Sequence, residues 1–421
     1  MLALLPNVKS SSRLNPLFII GTAVLFFGIY TDIPLAISGG TVPMVSALPG
    51  LVILLCHSDV WSPRFIVFVA LPAIVFFAVA LLAPESSYFL QERTFATAQF
   101  TYGLIIGYLG SYTLARLGRK RVHSIVSIFL PCYCALLFLE IATPLKDVIA
   151  DYMNLYPREY DFYAMADRDS ALGGYRPKLF TSETSYVATS AFLMITIYVW
   201  SGRSKRKYHW AVFYAMALSA LIRSPIVLVS FPVIMASALF DRTSGQRFLI
   251  SRIASTAFVL TAAAALFAVG GDIIETRLEK VSSGSDYSTT YRTYGSVLAA
   301  WDVINEYPEF GVGPGTIELA EDIIISKYIS LGVPAEAALI DWRMSINNAL
   351  ASALLHFGIL GSILILLVTG CIVARDIPRS RIPAIAAIAC YSLTYGAIYT
   401  PKFVVTFLCI IAASKLRSEP E

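Results

Sequence analysis

A chain of 421 residues that is 57% hydrophobic and 14% charged, with a mean hydropathy of +0.69, lies far from the roughly 25% charged residues of soluble domains. That excludes a water-soluble globular enzyme. The net charge of +4 belongs to short connectors between apolar blocks, so it gives no basic face and no reason to expect nucleic acid as a partner.

The apolar blocks run over 16–30, 40–56, 65–83, 97–115, 124–145, 185–201, 210–222, 224–240, 253–270, 346–369, 382–400 and 403–414. Several approach the ~20 residues that carry a helix across ~30 Å of hydrocarbon. They predict an all-α polytopic membrane protein with about twelve crossings. The first block follows Lys9 and Arg13 and has no small-residue cleavage site after it, so it reads as an uncleaved helix. Basic side chains gather in "RLGRKR" (116–121), "GRSKRK" (202–207), the 241–252 connector, "ARDIPRSR" (374–381) and the tail with Lys415 and Arg417. This asymmetry predicts that both termini are cytoplasmic. It divides the chain into helices 1–5 over 1–145, an outer segment 146–184, helices 6–9 over 185–270, a large outer segment 271–345 and helices 10–12 over 346–421. The cysteines at 56, 132, 134, 371, 390 and 409 all lie in or beside these blocks, which implies no disulfide framework.

Between two basic connectors the run 211–240 must cross an even number of times, which makes it a hairpin with Arg223 at its tip. Its first leg, 210–222, rises only about 20 Å. A guanidinium there is costly unless it faces protein or a wet cavity, so it marks a candidate site. The bland alternatives are snorkelling to headgroups or pairing with Glu140. The outer segment 146–184 interleaves six aromatics between Tyr152 and Tyr175 with carboxylates, a mixture suited to sugars, although tyrosines also gather at membrane interfaces. "DRD" (167–169) has a spacing some metal-dependent transferases use, but is too short to carry weight. The segment 271–345 holds 12 acidic and 5 basic residues, with helical spacing over 295–304 and 316–332 around a turn, "YPEFGVGPG" (307–315). Arg176, Arg223 and Arg292 all fall on the outer side, where arginine forks suit the oxygens of a lipid diphosphate. His57, His123 and His209 fall on the cytoplasmic side and His356 inside a helix, so there is no His/Cys metal set and no cofactor or metal is expected.

Four stretches resemble bacterial O-antigen polymerases. "YRPKLFTSETSYVATSAFL" (175–193) resembles their F…E-P-S-x-x-A helix start preceded by arginine, with Thr184 in place of proline. "SALIRSPIVLVS" (219–230) resembles an S-R turn between short helices. "YRTYGSVLAAWDVINEYPEFGVGPG" (291–315) is similar to an R…W…P-x-x-G-x-G segment, and "INNALASALLHFGILG" (346–361) to the helix that follows it. Together they cover 175–361 and resemble the Wzy polymerase and O-antigen ligase superfamily. That likeness implies a polytopic glycosyltransferase of GT-C type in the bacterial inner membrane, with its active site facing the periplasm. The implied substrate is an undecaprenyl-diphosphate-linked oligosaccharide, and a chain-length-regulating polysaccharide co-polymerase is an implied partner beside the lipid bilayer. Glu183, Arg223 and Arg292 become the catalytic candidates, with Arg176, Tyr175, Tyr291, Asn347 and Asn348 as substrate-binding candidates. Asn347 stands where ligases carry histidine, which favours polymerase over ligase. His356 reads as a packed core residue, and a flippase or other transporter is a rival class that would show two related halves.

Overall fold

The computed structural model of the protein describes residues 15–37, 40–57, 60–154, 175–181, 183–204, 206–240, 294–346, 348–373, 382–396 and 398–416. Helix α1, Pro16–Thr31, begins where the Asn15 side chain accepts the Leu17 N–H at 3.0 Å and a proline occupies the first turn. It ends at Asp32, whose left-handed backbone (φ 48°) releases the chain into an antiparallel hairpin of β1, Leu35–Ile37, and β2, Gly40–Val42. Helix α2, Leu48–Leu55, packs back on α1. The apolar block 40–56 is therefore helical only in part and not along its whole length as its composition suggests. Prolines 43 and 49 confine helix to its second half, and eight helical residues rise only about 12 Å.

Helix α3, Pro63–Leu82, starts on Ser62, whose hydroxyl accepts the Phe65 N–H at 3.2 Å. Helix α4, Leu90–Ala142, is broken at Gly118, where φ 71° and ψ 164° are open only to glycine. The break lies inside "RLGRKR". From the first leg the Tyr102 hydroxyl reaches the Met44 carbonyl at 2.8 Å, and from the second the Tyr133 hydroxyl reaches the Val187 carbonyl at 3.0 Å and lies 3.5 Å from that of Tyr30. Both legs thus return to the end of the bundle where α1 stops.

After α5, Leu145–Asn154, come α6, Thr184–Ser201, and α7, Lys207–Ile222. The chain turns at Arg223 into α8, Pro225–Leu228, and α9, Ser230–Leu239, which packs back against α7 and α6. The helices expected within 271–345 are α10, Tyr294–Glu306, and α11, Glu321–Ser330, followed by α12, Ala335–Asp341. They enclose a separate core of Ala300, Val303, Ile324, Tyr328 and Trp342 that runs on into Ala351 and Leu355 of α13, Ala349–Val373. Within it the Tyr328 hydroxyl donates to the Ser345 carbonyl at 3.2 Å, and burial raises its pKa above the ordinary tyrosine value, so it stays a donor. Helices α14, Ile382–Thr394, and α15, Pro401–Leu416, close the bundle, α15 lying along α4 and α6.

Among the described residues, Pro63–Leu82, Leu90–Ala142 and Ala349–Gly370 are long and apolar enough to cross a membrane, and four shorter apolar helices accompany them. Ile74, Ile128 and Leu366 point outward at 64%, 64% and 68% exposure, as lipid-facing side chains do and as a soluble surface seldom tolerates in continuous bands. Among the described residues the fold is all-helical apart from its small hairpin, and these apolar helices suggest a membrane protein. The block 253–270, most of the aromatic stretch 146–184 and Asp167 to Asp169 lie outside the described residues.

Candidate functional site

Glu140 is fully buried near the end of α4's second leg. Its Oε1 accepts the Tyr175 hydroxyl at 2.6 Å and the Lys178 N–H at 2.8 Å, and its Oε2 accepts the Leu179 N–H at 2.9 Å. One carboxylate with three donors pins the segment ahead of α6 to the top of α4. The clasp holds two consecutive left-handed residues, Leu179 (φ 40°) and Phe180 (φ 66°), in a conformation side chains disfavour. Glu140 is thus the anchor of this segment rather than the partner of Arg223 that its position in the sequence offered.

The clasped segment carries Arg176 to the tip of the α7–α9 turn, where its Nε lies 3.5 Å from the Ile222 carbonyl. The next residue is Arg223, exposed, with φ 52°, its backbone N–H donating to Ser219 at 2.9 Å as the C-cap of α7. Two arginines expected to act together are brought to one place. Glu183, half-buried, is the residue before α6; its side chain makes no cap and instead accepts the Ser185 hydroxyl at 2.7 Å. A carboxylate at that position is favoured by the helix dipole. Tyr175 lies at the edge of the same region, 36% exposed.

A second charged group, absent from the sequence reading, lies at this end of the bundle. Asp32, after α1, and Lys402, in the first turn of α15, form a buried ion pair at 3.4 Å. The Lys402 ammonium stands 2.6 Å above the centre of the Tyr186 ring. Neither member of the pair carries a motif, and 370 positions separate them. The one available signal was that each ionisable residue borders an apolar block.

The glycine-rich turn has a different role. Val312 and Gly313 donate to the carbonyls of Leu355 and His356, each at 3.0 Å, and Ile359 donates to Pro308 at 2.9 Å, so the 307–315 turn docks into a break in α13 at Gly358 (φ 59°). Gly311 sits so close that a Cβ there would lie 2.3 Å from the Leu355 carbonyl oxygen. His356 is buried with Nδ1 3.0 Å from the Gly313 carbonyl, the packed role expected of it. Arg93, fully buried, donates to the carbonyls of Ala80, Ala83, Pro84 and Val312 and so fastens the α3–α4 turn to the same loop. Asn348 is buried, and its side-chain oxygen accepts the N–H groups of Leu350 at 2.9 Å and Ala351 at 3.3 Å, capping α13.

Arg292, Tyr291 and Asn347 lie outside the described residues. Among the described residues no group of three or more His, Cys, Asp or Glu side chains is placed to hold a metal ion. Comparison with protein-family models, with curated proteins and with solved structures finds no match to this chain.

Proposed function

We propose that the protein is a polymerase of lipid-linked oligosaccharides, a metal-independent glycosyltransferase of GT-C type with about twelve crossings, acting at the outer leaflet of the bacterial inner membrane. The donor is an oligosaccharide repeat unit on undecaprenyl diphosphate, and the acceptor is a hydroxyl of a second unit. The acceptor oxygen forms a bond to the donor's anomeric carbon while the bond from that carbon to the diphosphate oxygen breaks. The electron pair leaves with the lipid diphosphate, and the acceptor's proton passes to Glu183. Arg176, Arg223 and, by its place in the motif, Arg292 stabilise the charge that grows on the leaving diphosphate. Glu183 is the general base.

The observation that carries this reading is the meeting of Arg176 with the Arg223 turn at the end of the bundle that also holds Glu183. Arginine at a left-handed cap supports it further. Glycine or asparagine would occupy that conformation at about 1 kcal/mol less cost, so the strain accompanies a side chain kept for its own sake. In the source bacterium, deletion of the gene should leave surface glycolipid carrying single repeat units, seen as collapse of the ladder on a polysaccharide gel. Loss of every attached repeat unit would instead assign a ligase, and an unchanged ladder would refute both.

A further inference from the structure

Helix α7 begins at Lys207 and ends before Arg223, so its start lies at the opposite end of the bundle from the candidate site. Two basic stretches meet there, the break in α4 at Gly118 and the connector from α6 to α7. The Arg119 guanidinium donates to the carbonyls of Ser201 and Gly202, each at 3.0 Å, and the Lys207 ammonium donates to that of Gly202 at 3.1 Å. The Ser201 hydroxyl lies 3.4 Å from His123 Nδ1. Cations on the last carbonyls of a helix offset its dipole, so Arg119 and Lys207 are accounted for as caps of α6 that also hold the two connectors side by side.

Four further cations border this junction, each adjacent in sequence to a residue within it. Lys120, Arg203 and Arg206 are exposed and Arg121 is half-buried. Residues 82 positions apart are in direct contact, so cations from two connectors are gathered at one place, and neither 116–124 nor 200–210 contains an acidic residue. Aromatic side chains set the depth of this patch. Trp210 and Phe213, in the first two turns of α7, are 50% and 56% exposed, and Trp61, just ahead of α3, is 58% exposed. Tryptophan at the end of an apolar helix sits at headgroup level in a bilayer. The cations beside Trp210 therefore stand at the depth of lipid phosphates, which favours a lipid over a soluble acidic protein as the partner.

We propose that the α4 break and the α6–α7 connector together bind the phosphate of an anionic phospholipid from the leaflet they face, with Lys120, Arg121, Arg203 and Arg206 supplying the positive charge and Trp210 the aromatic contact beneath it. A zwitterionic phospholipid offers the same phosphate but brings a cation of its own, so the site selects by net charge. Each lysine or arginine near an anionic headgroup contributes up to about fivefold in affinity. The site lies at the far end of the bundle from Arg223 and does not depend on the polymerase reading.

The test uses the full-length protein reconstituted in phosphatidylcholine vesicles, with trace spin-labelled phosphatidylglycerol or phosphatidylcholine reporting how much label the protein immobilises. The wild type should hold phosphatidylglycerol about tenfold more strongly than phosphatidylcholine. Lys120→Gln and Arg206→Gln should each lower that preference about threefold, and together they should nearly abolish it. If either variant fails to insert, Arg203→Gln takes its place with the same expectation. Arg64→Gln removes an exposed cation from the start of α3, outside the junction, and should leave the preference as it is. Equal binding of the two lipids by the wild type, an unchanged preference in the double variant, or an equal loss from Arg64→Gln would overturn the proposal. So would loss of the preference on adding excess inorganic phosphate at matched ionic strength, which would assign a site for the free ion.

Discussion

At the docked 307–315 turn, the N–H groups of Val312 and Gly313, the His356 ring and the Arg93 guanidinium all engage carbonyl oxygens, and glycines remove the side chains that would stand between the two backbones. Around Arg223 the pattern is different. Leu179, Phe180 and Arg223 hold left-handed backbone without glycine's freedom, Glu140 restrains the segment of the first two, Arg223 is exposed and Glu183 is half-buried. Both regions carry stretches that resemble polymerase motifs, so likeness alone does not separate a docking device from a reaction site. What separates them is the left-handed backbone, carried by Gly311, Gly313, Gly315 and Gly358 in the first region and by Leu179, Phe180 and Arg223 in the second.

Substitutions in the first region should therefore lower the amount of protein, and substitutions in the second should lower polymer formed per molecule. The largest effect is expected from Gly311→Ala. Its Cβ would lie 2.3 Å from the Leu355 carbonyl at a backbone φ of 63°, a cost above about 4 kcal/mol. Immunoblots of membranes should show the protein nearly lost, or the α10–α12 subdomain opened to trypsin. Normal amounts would mean the docking is dispensable.

Glu140→Gln should act on the second region. A carboxamide puts an NH₂ where the carboxylate accepts from Tyr175, Lys178 or Leu179, and a lost buried acceptor costs about 1–3 kcal/mol. The expected result is roughly tenfold less polymer per inserted molecule with a modest loss of protein. Unchanged polymer would show that the clasp does not position Arg176.

Asn348→Ala sharpens the border between the regions. Its side-chain oxygen caps α13, so the variant should cost about 1 kcal/mol of stability and leave polymer per molecule unchanged. A specific loss of polymer at normal protein level would return Asn348 to the substrate-binding set.

Much of the helical layout was legible because apolar blocks and basic connectors report local chemistry. The turn at Arg223, the break at Gly118 within a basic connector and the two helices around the 307–315 turn all follow from short-range pattern. Within the block 40–56, composition did not show that a strand and prolines confine the helix to the second half. The site was legible in part: Arg176 and Arg223 were named from charge and place, but that Arg176 reaches the Ile222 carbonyl depends on the Glu140 clasp. Asp32 and Lys402 were missed because nothing short-range connects the first helix to the last, and Arg93 because four carbonyl partners leave no trace in sequence.

On the proposed polymerase function Arg223 serves the departing diphosphate and not the fold, and Arg223→Gly tests this most directly. Glycine suits the left-handed cap better than arginine by about 1 kcal/mol, so this variant should insert at or above the wild-type amount. Loss of one preorganised donor to a leaving group costs on the order of 10²–10³ in rate, so polymer ladder intensity divided by inserted protein should fall to roughly 1% or less. A full ladder from Arg223→Gly at normal protein level would contradict the account.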